Sequence, residues 1–118
     1  MTPARALVVG LGVTGRAVTS ALVARGSSVI VVEDRPTEDH WAFASEVGVD
    51  LVEAPDTAAL PALLGEVEVL LPSPGVPDRH PVFTAAATAH VPVRSEFDLA
   101  GEWDDRPVVA VTGTNGKT

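Results

Sequence analysis

Ala6-Leu7-Val8-Val9-Gly10-Leu11-Gly12-Val13-Thr14-Gly15 is the stretch that decides the fold. Four apolar residues run into G-x-G-x-x-G. From Thr14 to Arg25 the pairs Ala17/Ala21 and Val18/Leu22 then recur at i,i+4, which gives a helix one apolar face. A strand, a glycine turn and a helix follow one another without a break. In such a turn the first glycine permits the tight bend. The second lets a diphosphate approach the backbone, and the third lets helix and strand pack closely. Gly26 stops the helix, and Val29-Ile30-Val31-Val32 reads as a second strand, apolar on both faces as in a covered parallel sheet. An acid follows at the end of that strand: Asp34, 19 residues after Gly15, with Glu33 beside it. A glycine turn with no ligand is the bland alternative, and its setting between strand, helix, strand and acid weighs against that.

The alternation continues outward. Trp41, Ala44 and Val47 mark a short helix closed by Gly48, with Trp41 as a packing residue, and Leu51-Val52 a short third strand. Thr57 to Gly65 is a weak helix that admits Pro61 only in its first turn. Val67-Glu68-Val69-Leu70-Leu71 is a fourth strand, and Pro72-Ser73-Pro74-Gly75-Val76-Pro77 a rigid loop. Pro81 opens a helix with Val82, Phe83 and Ala86 on its apolar side. Val91-Pro92-Val93 fits a fifth strand at an edge, because proline cannot donate to a ladder. Ser95-x-x-Asp98 has the spacing of a capping box for a short helix with Phe97 and Leu99. The β-α-β-α order predicts an α/β domain over residues 1–101: a Rossmann-like parallel sheet of about five strands with helices on both faces. Residues 102–106 read as a linker and 107–118 as the start of a second, ATP-binding domain.

That second start is Val108-Val109-Ala110-Val111 running into Thr112-Gly113-Thr114-Asn115-Gly116-Lys117-Thr118. A strand entering a glycine-rich turn that ends Gly-Lys-Thr is a phosphate loop of the P-loop ATPase type. Backbone N–H groups wrap phosphate oxygens, the lysine ammonium reaches the terminal phosphates, and the last hydroxyl binds Mg²⁺. Val111 stands where the standard motif has its first glycine, so the loop departs from the common pattern. Ser73-Pro74-Gly75 follows the fourth strand. Ligands of such sheets lie beyond the strands' C-terminal ends, which makes this loop a candidate second wall beside Gly10–Gly15. Alone, it is a proline turn.

Composition narrows the partners. The formal net charge of −8 argues against nucleic acid and anionic membrane, whose phosphates need basic patches. No stretch has the length of a membrane span. Cysteine is absent, which excludes disulfides and thiolate metal sites and fits a reducing cytoplasm. His40, His80 and His90 have no metal-ligand spacing: His40 and His80 read as exposed helix-start residues and His90 as a loop residue. Glu66 and Glu68 read as surface, Asp104-Asp105 as solvated linker and Trp103 as packing.

Gly-Leu-Gly-Val-Thr-Gly, Ser-Pro-Gly-Val and Val-Thr-Gly-Thr-Asn-Gly-Lys-Thr, in that order, resemble the start of the Mur ligases, specifically the branch that adds D-glutamate to UDP-N-acetylmuramoyl-L-alanine. The resemblance covers essentially the whole chain. It implies that ATP phosphorylates the substrate carboxylate and that the D-glutamate amine attacks the acyl phosphate, giving an amide. On the matching positions it implies that Val13 and Thr14 meet the UDP diphosphate, within a UDP-substrate-binding turn that includes Gly12 and Gly15, that Asp34 and Arg35 meet the uridine, and that Ser73, Pro74 and Gly75 form the facing wall. It assigns Gly113, Thr114, Asn115, Gly116, Lys117 and Thr118 to ATP, with Lys117 and Thr118 catalytic and the Thr118 hydroxyl on Mg²⁺. Relatives often read Asp-Thr-Arg where this chain reads Asp34-Arg35-Pro36, so the threonine contact is lost and the arginine is shifted. The D-glutamate site is expected beyond Thr118, and the chain alone is expected to be inactive, monomeric and cytoplasmic. Two other functions fit parts of the sequence. An NAD(P)-binding oxidoreductase domain explains Gly10 to Asp34 but gives Thr112–Thr118 no role. A non-catalytic nucleotide-binding module explains both loops without turnover.

Overall fold

The computed structural model describes residues 3–95. The capping box at Ser95-x-x-Asp98, the linker, the strand at Val108–Val111 and every residue assigned to ATP and Mg²⁺ reach or lie outside that range. Within it the chain runs β1 (Arg5–Val9), α1 (Val13–Ala24), β2 (Ser28–Glu33), α2 (Glu38–Val47), β3 (Asp50–Glu53), α3 (Leu60–Leu64), β4 (Val69–Pro72) and α4 (Pro81–Thr88). The strands form one parallel sheet in the order β3-β2-β1-β4. The chain lays β2 and β3 to one side of β1 and then crosses to place β4 on the other. The strand order therefore reverses between β1 and β4, which is where such sheets open a crevice.

The two faces of the sheet have separate cores. Ala6, Val8, Val29, Val31, Val69 and Leu71 pack under Val18 and Leu22 of α1, with Phe43 of α2 against them. Leu7, Val9, Val32 and Leu70 pack under Leu60 and Leu64 of α3 and Val82 and Ala86 of α4. Helices cover both faces, so successive strand residues are all apolar: the central β1 run Ala6–Val9 is buried throughout.

Several elements differ in detail from the sequence reading. The buried stripe of α1 is Gly15, Val18, Thr19 and Leu22, with Ala17 exposed, because the glycine must face the sheet for the helix to pack closely. Trp41 is 45% exposed; Ala44 and Phe43 make the seam of α2 instead. α3 begins only at Leu60, with Pro61 in its first turn, and Asp56 accepts the Ala59 N–H ahead of it. Val67 still belongs to the turn after α3, its N–H donating to the Leu64 carbonyl, so the β4 ladder starts at Val69. The sheet has four strands among the described residues, where about five were expected. Val93 makes a single parallel bridge to Leu70. Leu70 N–H donates to the Pro92 carbonyl and Arg94 N–H to the Leu70 carbonyl. The proline nitrogen has no hydrogen with which to extend that bridge into a ladder.

Thr19 is fully buried on the sheet-facing side of α1, and its Oγ1 has no hydrogen-bond partner among the described residues. A buried hydroxyl without a partner keeps its desolvation cost. Thr19→Val keeps the shape and discards that cost, so it is expected to stabilise the fold by about 1 kcal/mol. In a thermal melt that is a rise of roughly 4–8 °C. A lower midpoint would show that the hydroxyl is satisfied.

Candidate functional site

At the C-terminal ends of β1 and β4 two loops face each other across a cleft of about 370 Å³. One wall is the glycine turn after β1, the other the turn after β4 with Ser73, Gly75, Val76 and Pro77. The end of β2 supplies Glu33 and Asp34 on one side, and His40 and His80 also line the space. The two loops that the strand order predicts as neighbours do line one cleft. Gly10, Gly12, Asp34, Ser73 and Gly75 line the cleft; Val13, Thr14, Gly15, Arg35 and Pro74 are not among its lining residues.

The glycine turn is held from beneath. Gly10 N–H donates to the Val32 carbonyl (2.8 Å) and Ser73 N–H to the Val9 carbonyl (2.9 Å), tying both loops to β1 and β2. Gly10 has φ +92°, in the left-handed region that glycine alone enters readily, and a Cβ there would collide with the Ser73 side chain. Gly15 presses against the Gly10 carbonyl with no room for a Cβ. It is the packing glycine, buried under the loop. Gly12 is the opposite case: its backbone is extended, and a Cβ would meet nothing within 4 Å.

The α1 N-terminus opens beside this space. No side chain caps it and its first turn holds no acid, whereas Thr37 and His80 cap α2 and α4. Its first N–H groups have no intrahelical acceptor, and the helix dipole favours an anion there. Val13 at the first helical position is 90% exposed. Two residues before Val13, one donor of the turn is already used: Leu11 N–H donates to Glu33 Oε2 at 2.7 Å. An anion seated on this loop therefore meets the helix end rather than Leu11. Arg16, also on α1, donates from Nε to the Leu11 carbonyl, and its guanidinium stacks 5.8 Å from the Phe43 ring centre.

Three residues of the cleft carry more than the sequence pattern shows. Glu33, which in sequence is Asp34's neighbour at the end of β2, accepts the Leu11 N–H. His40 sits at the third position of α2, where Thr37 N–H donates to its Nδ1 and its own N–H donates to Thr37 Oγ1. His80 is not simply an exposed helix-start residue: its side chain is only 12% exposed, and its Nε2 lies 3.1 Å from Asp34 Oδ2. His40, His80 and Pro81 read as helix-start residues and do begin helices; nothing in the linear pattern brings His80 to Asp34. Among the described residues no three His, Asp or Glu side chains are grouped to hold a metal, and no helix is long and apolar enough to cross a membrane.

Strand order, glycine turn and crevice together define a doubly wound α/β domain of Rossmann type with its cleft at the point of strand reversal. Residues 4–95 match the family model of the Mur ligase MurD-like N-terminal domain, and the chain belongs to that family. It is similar to the UDP-N-acetylmuramoylalanine–D-glutamate ligase of Syntrophus aciditrophicus, 38% identical over 97% of this chain and 25% of that protein. The protein of the same name from Frankia casuarinae is 42% identical over 95% of this chain and 24% of its own length. The chain thus spans about a quarter of these relatives. Among solved structures, UDP-N-acetylmuramate:L-alanyl-gamma-D-glutamyl-meso-diaminopimelate ligase from Neisseria meningitides superposes with a TM-score of 0.70 at 17% identity, over 83% of this chain and 30% of that one. Saccharopine dehydrogenase from Saccharomyces cerevisiae superposes at 0.63 and 22% identity, over 77% and 21%. At such identities both speak for the fold alone.

Proposed function

We propose that this chain is the UDP-sugar-binding portion of an ATP-dependent ligase that adds D-glutamate to UDP-N-acetylmuramoyl-L-alanine in peptidoglycan precursor synthesis. The observation that carries the reading is the meeting of the Gly10–Gly15 turn with Ser73–Gly75 beside an uncapped helix N-terminus, in a chain whose relatives bear that ligase's name. Gly12, Val13 and Thr14 take the diphosphate, which the helix end attracts and the open space over Gly12 admits. Gly15 serves by packing the turn. Asp34 and Arg35 stand on the uridine side, and Ser73, Pro74 and Gly75 close the other. In this reading Gly113 to Thr118 belong to ATP, with the Lys117 ammonium at the phosphates and the Thr118 hydroxyl at Mg²⁺. Bound there, ATP supplies the leaving group that a carboxylate lacks. The protein is a cytoplasmic monomer, and D-glutamate is held by residues outside this chain.

Calorimetric titration of the 118-residue chain with UDP, UDP-N-acetylmuramoyl-L-alanine, NAD⁺ and ATP tests this. UDP and its muramoyl derivative are expected to bind at the cleft, NAD⁺ and ATP weakly or not at all. No D-glutamate-dependent ADP release is expected from this chain alone. Tight NAD⁺ binding without UDP binding would establish an oxidoreductase domain instead.

A further inference from the structure

We propose that His80 is a positioning residue for nucleotide recognition, holding Asp34 in one orientation across the mouth of the cleft. This rests on the reading of Asp34 as the uridine-side carboxylate. Asp34 follows the last residue of β2, in a bend, with its side chain 56% exposed. An exposed carboxylate on a bend loses rotamer freedom when it binds, and that loss weakens binding.

His80 removes the freedom beforehand. Its ring is fixed by a second hydrogen bond, because Val82 N–H donates to Nδ1 at 3.1 Å as the N-terminal cap of α4. A nitrogen that accepts carries no hydrogen, so the neutral ring bears its proton on Nε2. That Nε2–H points at Asp34 Oδ2, 3.1 Å away and 46 residues earlier in the chain. One imidazole therefore starts α4 and orients the carboxylate. Asp34 Oδ1 is left for a ligand hydroxyl or N–H. The same contact ties the end of β2 to the loop after β4, the two sides between which a nucleotide must sit.

The two roles of the ring separate by substitution. An asparagine side chain reproduces the Nδ1 acceptor and is among the best N-caps, but its amide does not extend to Asp34. A glutamine amide reaches the position of Nε2 but makes a poor cap. His80→Asn is expected to keep the melting temperature and to weaken UDP binding by about fivefold to tenfold, the cost of ordering one side chain. Its affinity for inorganic diphosphate, which touches only the glycine turn and the α1 end, is expected to stay unchanged. His80→Gln is expected to melt earlier yet bind UDP close to the unaltered chain. Equal UDP binding by His80→Asn and the unaltered chain would overturn the proposal. So would parallel losses of UDP and diphosphate, which would mean a general collapse of the cleft, or a His80→Gln chain no better than His80→Asn. If the unaltered chain fails to bind UDP, the proposed function fails first and this role of His80 with it.

Discussion

Gly15→Ala is expected to destabilise the domain by at least about 3 kcal/mol, enough to leave a marginally stable fold largely unfolded at physiological temperature. A methyl group at this position lies well inside contact distance of the Gly10 carbonyl, with Val8 behind it. The obstacle is backbone, so no side chain can turn away to make room. Either α1 lifts from β1, opening the core between Val18, Leu22 and Val8, or the glycine turn shifts and breaks the Gly10–Val32 bond. Urea denaturation followed by circular dichroism measures the loss. A midpoint within experimental scatter of the unaltered chain would mean that helix and turn separate easily and that the close packing has little weight.

Gly12→Leu is expected to do the reverse: to leave the fold in place and weaken UDP binding by at least about 100-fold, or some 2.8 kcal/mol at 1.4 kcal/mol per tenfold. Position 12 is extended backbone that any residue can adopt, and its Cβ would project into open space. The side chain would occupy the volume through which a diphosphate reaches the α1 N–H groups. Stability by denaturation and affinity by calorimetry must therefore move independently at residues 12 and 15. A Gly12→Leu chain that binds UDP normally would place the ligand elsewhere.

The sequence shows these two glycines as members of one motif, and only the packing separates their tasks. What could be read in the chain was whatever depends on short spacing. Ala6–Val9 and Val29–Val32 are apolar on both faces and are strands in the buried middle of the sheet. Gly48 ends α2 in a left-handed conformation at φ +79°. The meeting of Ser73 with the first glycine turn followed from strand order. Where small or polar residues carry the packing, the pattern misleads. The core face of α1 is lined by Gly15 and Thr19, which no count of apolar residues selects, and Trp41 is large and apolar yet exposed. The Asp34–His80 pair and the turn of Glu33 back to Leu11 depend on tertiary distances between residues far apart in the chain. Such contacts leave no periodic trace.

The division of the core by the sheet also sets an order of events for a chain made from its N-terminus. Once residues up to Val52 have been made, β1 and β2 can pair and α1 and α2 can cover one face using local connections alone. The other face then presents Leu7, Val9, Ile30, Val32 and Val52 to water, since every helical residue that packs on it lies between Leu60 and Thr88. The central strand β1 also lacks its second neighbour until Val69–Pro72 emerges. A half-made molecule is therefore a one-sided sheet with an open edge and a bare apolar surface, the combination most prone to stick to another copy of itself. The crossing from β3 to β4 that creates the cleft is thus also the step that ends this exposure.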